Sequence, residues 1–206
     1  MSLELWCPLR LEAWAARRGA GTAGVVRTGM GPRRSAAFAG RPAGAGRPGA
    51  IVLGLAGAVT DSLEPGDVIV ADTVHGPGPD RSAWGPMSEI VRVGLREAGI
   101  SAVRGPIRSV ARPVRGAGRR RLARDGSLVA DMESWWLLGA DPAPLAVVRV
   151  VSDAPAAELA SLWLPLRVRR ALAVISRIAA TLHPREAPIQ PDIRRGQQTA
   201  ALGGIT

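Results

Sequence analysis

Lysine and tyrosine are absent from this chain, and phenylalanine and cysteine each occur once, as Phe38 and Cys7. Without lysine there is no Walker-type phosphate loop, whose lysine reaches the outer phosphates. A lone cysteine closes no intramolecular disulfide and fits a reducing compartment. His75 and His183 are the only histidines and show no zinc-ligand spacing, so no metal and no cofactor are expected. Long apolar runs are missing too. The longest uncharged one, Gly49 to Thr60, falls short of the roughly 20 residues that span a bilayer. Glu4, Arg10 and Glu12 interrupt any secretory leader pattern, and the chain reads as cytoplasmic.

What is present is a chain of 206 residues, 47% hydrophobic, enough for one domain with its own core. The net charge of +10 comes entirely from arginine, in a composition rich in alanine, glycine and proline that codon bias also produces. Such a field favours anionic partners: phosphates, nucleic acid or an acidic membrane surface. The densest stretch, Arg104 to Arg124, reads as solvated surface, as charge runs usually are.

Strands are expected at Leu3–Trp6, Gly24–Thr28, Ala50–Leu55, Val68–Ala71, Pro106–Val110 and Leu145–Val151. Gly40 to Gly49 reads as a loop, and Leu63 to Asp67 as a turn built on Pro65 and Gly66. Leu9–Arg17 begins a helix. Met87–Glu97 is a second, with Ile90, Val91 and Leu95 on one side and Gly99 as its stop. Gly116 and Gly118 loosen the chain before Arg119–Arg124. Ser127–Met132 leads into a helix carrying Trp135, Trp136 and Leu137. The longest helix runs from Leu159 to Leu182, with Leu166, Leu172, Ile175, Ile178 and Leu182 facing inward. The alternation predicts an α/β fold: a single domain over 1–183 with a central mixed β-sheet flanked by helices, and a mobile tail over 184–206. Gly29-Met30-Gly31 lacks the third glycine of a dinucleotide fingerprint.

Four segments carry a family resemblance when taken in order. They are Arg27-Thr28-Gly29-Met30-Gly31; Gly54-Leu55-Ala56-Gly57-Ala58 with Glu64 to Ala71; Val129-Ala130-Asp131-Met132-Glu133-Ser134; and Val148-Arg149-Val150-Val151-Ser152-Asp153. The set resembles the nucleoside phosphorylase and nucleosidase superfamily, including the methylthioadenosine/S-adenosylhomocysteine nucleosidases. The resemblance implies cleavage of a purine nucleoside at its N-glycosidic bond. It implies that Asp153, beside Ser152, protonates N7 of the leaving base, a task for a carboxyl that stays protonated or shares a proton. A second reading makes Asp153 the N-cap of a helix beginning near Pro155. Glu133 resembles the glutamate that grips the ribose hydroxyls, with Met132 lining the sugar pocket or simply packing in the core. Arg149 matches the arginine before the aspartate segment. Inside an apolar strand it needs a carboxylate, and Glu133, or failing it Glu12, is the expected partner, unless it faces outward on an edge strand.

Glu12 corresponds to the glutamate that activates water in hydrolytic members, although Trp6-Cys7-Pro8 replaces the family's glycine-containing strand end. Gly54, Ala56 and Gly57 suggest close approach of backbone to a ligand. Gly29 and Gly31, with Arg27 and Arg33 nearby, are anion donors that keep phosphorolysis open. Leu55 stands where many nucleosidases carry serine. No base-stacking aromatic is obvious; Trp84, Trp135 and Trp136 are the substitutes. The chain also resembles short members linked to hopanoid synthesis that release adenine from adenosylhopane. Leu55 and a basic exterior suit a greasy substrate and peripheral contact with an anionic membrane. The leading expectation is a purine nucleosidase, homo-oligomeric like its relatives. Phosphate-dependent cleavage is the second reading. A non-catalytic nucleoside- or nucleic-acid-binding protein is the third, though no nucleic-acid-binding module accompanies the charge.

Overall fold

The apolar run rich in glycine and alanine at the centre of the chain becomes β3 (Gly49–Ala58), the strand from which the rest of the sheet is built. The computed structural model describes residues 3–21, 24–42, 48–155 and 164–182. Before β3 come β1 (Leu3–Cys7), α1 (Arg10–Ala20), β2 (Val25–Arg27) and α2 (Pro32–Ala39). After it follow β4 (Val68–His75), β5 (Arg81–Ser82), α3 (Pro86–Glu97), β6 (Ala102–Ser109) and α4 (Ala117–Arg124). The described part ends with β7 (Val129–Asp131), α5 (Ser134–Leu137), β8 (Ala146–Asp153) and α6 (Leu164–Leu182). The result is the α/β domain with a mixed sheet that the alternation of elements predicts.

The sheet closes on itself. β3 runs parallel to β8 and antiparallel to β7; β7 is parallel to β6, and β6 to β4. β4 then pairs antiparallel with β8 and completes a ring of five strands. β1 and β2 extend it from the first half of β3, and β5 from β4. Every residue of β8 is buried, which is why its sequence reads as a nearly unbroken apolar run. One face of the sheet packs Leu53, Val148 and Val150 against Ala16, Leu95, Ile175 and Ile178 of α1, α3 and α6. The other packs Val52, Ile69, Val147 and Val151 against Phe38 of α2 and Leu137 of α5.

Several local expectations change. α3 buries Ser88, Val91 and Leu95, at helical spacing, and turns Ile90 out to 62% exposure. On α6, Leu172, Ile175 and Ile178 are buried, whereas Leu166 is 60% exposed. α2 forms where no element was expected: Gly31 turns the chain with φ +84° and Pro32 supplies a preset first helical residue. α4 forms although Gly116 and Gly118 flank its start. The turn at Gly66 (φ +104°) and the stop of α3 at Gly99 are as expected. Residues 159–163 of the expected long helix, His183 and the expected tail lie outside the described residues.

Candidate active site

The register between β3 and β8 places the charged residues. Gly54 lies opposite Arg149 and Ala56 opposite Val151. β8 then spends two residues where β3 spends one, so that Gly57 meets Asp153. This bulge at Ser152 re-aims the strand end, a common device beside functional sites. A Cβ on Gly54 would sit 2.5 Å from Arg149 Nη1 and 2.9 Å from Glu12 Oε1. On Gly57 it would lie 3.2 Å from both Arg119 Nη2 and Asp153 Oδ1. The expectation that Gly54 brings backbone to a ligand is therefore corrected. Both glycines clear space for the chain's own charged side chains.

Arg149 is fully buried, on a central strand, so the outward-facing reading falls. Its expected partner, Glu133, is within ion-pair distance but comes second to Asp131. Nη2 lies 2.6 Å from Asp131 Oδ2, with Glu133 Oε2 second at 3.8 Å. Its Nε and Nη2 donate to Ser134 Oγ at 3.1 and 2.8 Å. Asp131, which sequence reasoning passed over, also accepts from the hydroxyls of Ser109 and Ser134. The available signal was a second carboxylate two residues before Glu133, at the end of an apolar strand. Burial raises the Glu133 carboxyl above its ordinary pKa against the opposing pull of Arg149, and the Asp131 charge adds to the rise. Glu133 Oε1 accepts the Gly31 N–H at 2.9 Å. That donor is thus committed to the protein, and the reading of Gly31 as an anion site is corrected. Gly29, also at positive φ, presents its carbonyl to Ser35 Oγ at 3.4 Å.

Glu12 sits in the first turn of α1 and is buried. Its two oxygens accept backbone N–H groups from different elements, Leu9 at 2.6 Å and Leu55 at 2.7 Å. Burial pushes its carboxyl up to about 7, with Arg149 and the two backbone donors pulling the other way. The folded protein therefore holds this proton to higher pH than the unfolded chain, whose carboxyl titrates near 4.5. Stability contributed here is present below about 4.5 and lost as pH rises towards 7. The Tm of the wild type should fall relative to that of Glu12→Gln across this window. A difference in Tm that ignores pH would contradict the assignment.

Asp153 ends β8, buried, with Ser152 Oγ 2.8 Å from its Oδ1. Its Oδ2 is held in an ion pair by Arg119 Nη2. Arg119 also donates to the carbonyls of Ala58 (2.7 Å) and Val114 (3.2 Å). This corrects the reading of the Arg104–Arg124 stretch as wholly solvated, because Arg119 is only 2% exposed. Nothing in the arginine run marks it out, since its burial depends on the phase of a helix that the flanking glycines concealed. Pro155 lies in a turn, and the helix-cap reading of Asp153 runs into residues 156–163, outside those described.

These groups surround one cavity of about 390 Å³. Glu12, Arg119, Asp131, Glu133, Ser152 and Asp153 line it together with Ala56 and Gly57; Leu9, Leu11, Met30, Leu55, Val114 and Met132 supply aliphatic wall. Arg149 and Gly54 stand behind the lining. Arg27 and Arg33 open onto separate surface grooves. The aromatic substitutes expected to stack on a base are elsewhere. Trp84 lies under the Arg104 guanidinium, and Trp135 packs against Gly76 and donates to the Pro79 carbonyl. Among the described residues no helix is long and apolar enough to cross a membrane.

The family model of the phosphorylase superfamily matches residues 13–180. The chain belongs to the phosphorylase superfamily. No curated protein matches it by sequence. Among solved structures, this superfamily member is similar in fold to the futalosine hydrolase of Helicobacter pylori, at 15% identity and TM-score 0.75 over 87% of this chain and 96% of that one. It is also similar to a mutant 5′-methylthioadenosine nucleosidase of H. pylori with 5′-methylthioadenosine in the active site (15%, TM-score 0.71, covering 88% and 97%). The 5′-methylthioadenosine/S-adenosylhomocysteine nucleosidase of Campylobacter jejuni aligns likewise (14%, TM-score 0.72, covering 89% and 99%).

Proposed function

We propose that this phosphorylase-superfamily protein hydrolyses the N-glycosidic bond of an adenosine carrying an apolar 5′ substituent. The observation that carries the reading is the convergence of Glu12, Glu133 and Asp153 on one largely aliphatic cavity. In this reading Glu133 accepts the ribose hydroxyls and faces the positive charge that develops at the ring as the bond breaks. Asp153 relays a proton from solvent to N7 of the leaving base through Oδ1, which Ser152 orients while Arg119 holds Oδ2. Glu12 takes a proton from the incoming water, so the rate should climb with pH around a midpoint near the carboxyl's value of about 7. Met132 and Ala56 bound the sugar.

Water is favoured over phosphate because the cationic and N–H donors that phosphate would need are committed or distant. Arg119 is engaged by Asp153 and two carbonyls, the Gly31 N–H by Glu133, and Arg27 and Arg33 lie outside the cavity. The fold neighbours named above include a nucleosidase and a hydrolase.

An apolar 5′ group is favoured by the rim. Leu11 and Met30 line the cavity yet are 56% and 50% exposed, and Trp14 lies one turn beyond Leu11. Arg10, Arg17 and Arg27 flank that turn. Adenosylhopane is the sharpest such substrate, and peripheral contact with an anionic membrane follows from the same rim. A homo-oligomer belongs to this reading, and light scattering tests it.

The deciding assay incubates the protein with adenosine, 5′-methylthioadenosine and a long 5′-alkyl adenosine, with and without phosphate. Free sugar and adenine, independent of phosphate and fastest for the alkyl compound, are expected. A sugar 1-phosphate would make the protein a phosphorylase. Release of no base from any substrate would leave a binding protein.

A further inference from the structure

α4 buries a single side chain, and it is a charge. Along Ala117–Arg124, Arg120, Arg121 and Arg124 are exposed and Leu122 is half-buried, while Arg119 is buried. A helix docked only for stability would turn its leucine inward, because a buried charge is costly unless paired and hydrogen-bonded. Here all three guanidinium nitrogens are used on one wall: Nη2 on Asp153, Nη1 on the Ala58 carbonyl and Nε on the Val114 carbonyl. Gly57, opposite Asp153, lacks the Cβ that would crowd both groups. Val114 lines the cavity as Arg119 does, so the same guanidinium ties the wall segment before α4 to the carboxylate.

We propose that Arg119 is the positioning residue for Asp153, fixing its carboxylate against the ends of β3 and β8 while anchoring the Val114 segment as a wall of the cavity. The inference rests on the hydrolytic reading above, in which Asp153 meets N7 of the base. A planar fork is required, since an ammonium cannot reach three acceptors from one fixed plane.

The test compares wild type, Arg119→Lys, Arg119→Met, Asp153→Asn and the double variant Arg119→Met/Asp153→Asn. Each is assayed on an adenosine-type nucleoside and on a nitrophenyl riboside, whose leaving group needs no proton. Arg119→Lys should lower kcat on the nucleoside by about 10- to 100-fold, the scale of a misplaced reacting group, with KM little changed. The nitrophenyl riboside should be cleaved at nearly the wild-type rate. The double variant should be no slower than Asp153→Asn, as two residues acting through one group require. A normal kcat in folded Arg119→Lys, equal losses on both leaving groups, or multiplied losses in the double variant would each overturn the proposal. If Arg119→Met does not fold, Arg119→Lys and the charge-free double variant still decide it. Should the wild type cleave neither substrate, hydrolysis falls and positioning is read from adenine binding by calorimetry. Arg119→Lys and Asp153→Asn should then weaken binding equally, and the double variant no further. Absence of adenine binding by the wild type, or additive weakening, would overturn the proposal as well.

Discussion

Asp153→Asn should cut kcat on a purine nucleoside by about 10²- to 10⁴-fold, the usual contribution of a positioned general acid. Asparagine keeps the shape and the hydrogen bond from Ser152 but has no proton to transfer. The loss should appear in kcat and reach KM only weakly, because in the proposed reading Glu133, not Asp153, grips the sugar. A nucleoside analogue whose leaving group departs without protonation should recover much of the rate. The substitution should also lower the Tm. Arg119 would stay buried with an amide in place of its counter-charge, and breaking one side of such a pair is costly. Full turnover of Asp153→Asn on adenosine would remove the mechanism. A fall in Tm with turnover intact would leave Asp153 a purely structural anchor.

The largest loss of stability is expected from Arg149→Met. The guanidinium stands among Asp131, Glu133 and Glu12, and all four residues are buried. Methionine fills much of the volume but leaves Asp131 and Glu133 as neighbouring buried carboxylates without a cation. Removing one partner of a buried pair typically costs about 3–5 kcal/mol. For a chain of this size each kcal/mol moves the Tm by about 2–4 °C, so a drop of about 6–20 °C is expected. Arg149→Met combined with Asp131→Asn should regain part of it, since the amide still accepts from Ser109 and no longer carries charge. Thermal melts at neutral pH measure both. A Tm within a degree or two of wild type for Arg149→Met would mean that the carboxylates are neutral without the arginine's help.

Elements set by their own residues were legible in the sequence. The buried strands β3, β4 and β8 are each built on an apolar run, and the turn at Pro65-Gly66 carries its own chemistry. The helix α3 stops where Gly99 allows positive φ. Of the site, Asp153, Glu133 and Glu12 could be named because their segments resemble a known family. What sequence could not show was pairing across distance. Asp131 and Arg149 are 18 positions apart, Glu12 and Leu55 are 43 apart, and Arg119 and Asp153 are 34 apart. Each of these contacts follows from how helices and strands are brought together around the closed sheet, and local propensity carries no record of that. Gly54 was misread for the same reason. A missing Cβ looks alike whether it admits a ligand or a neighbouring arginine, until the strand opposite is known.

The strand ring has a consequence for synthesis. β8, which carries Arg149 and Asp153, is the last strand among the described residues, yet it belongs between β3 and β4, made long before it. Until it emerges, those two strands face each other across a gap with unpaired N–H and C=O groups along both margins. Such margins invite pairing with other chains. Closure must also wait for contacts between segments far apart in sequence, which slows folding. The nascent chain therefore passes through a stage that favours chaperone capture or self-association, and it leaves that stage only on receiving the strand that brings the arginine and the acid.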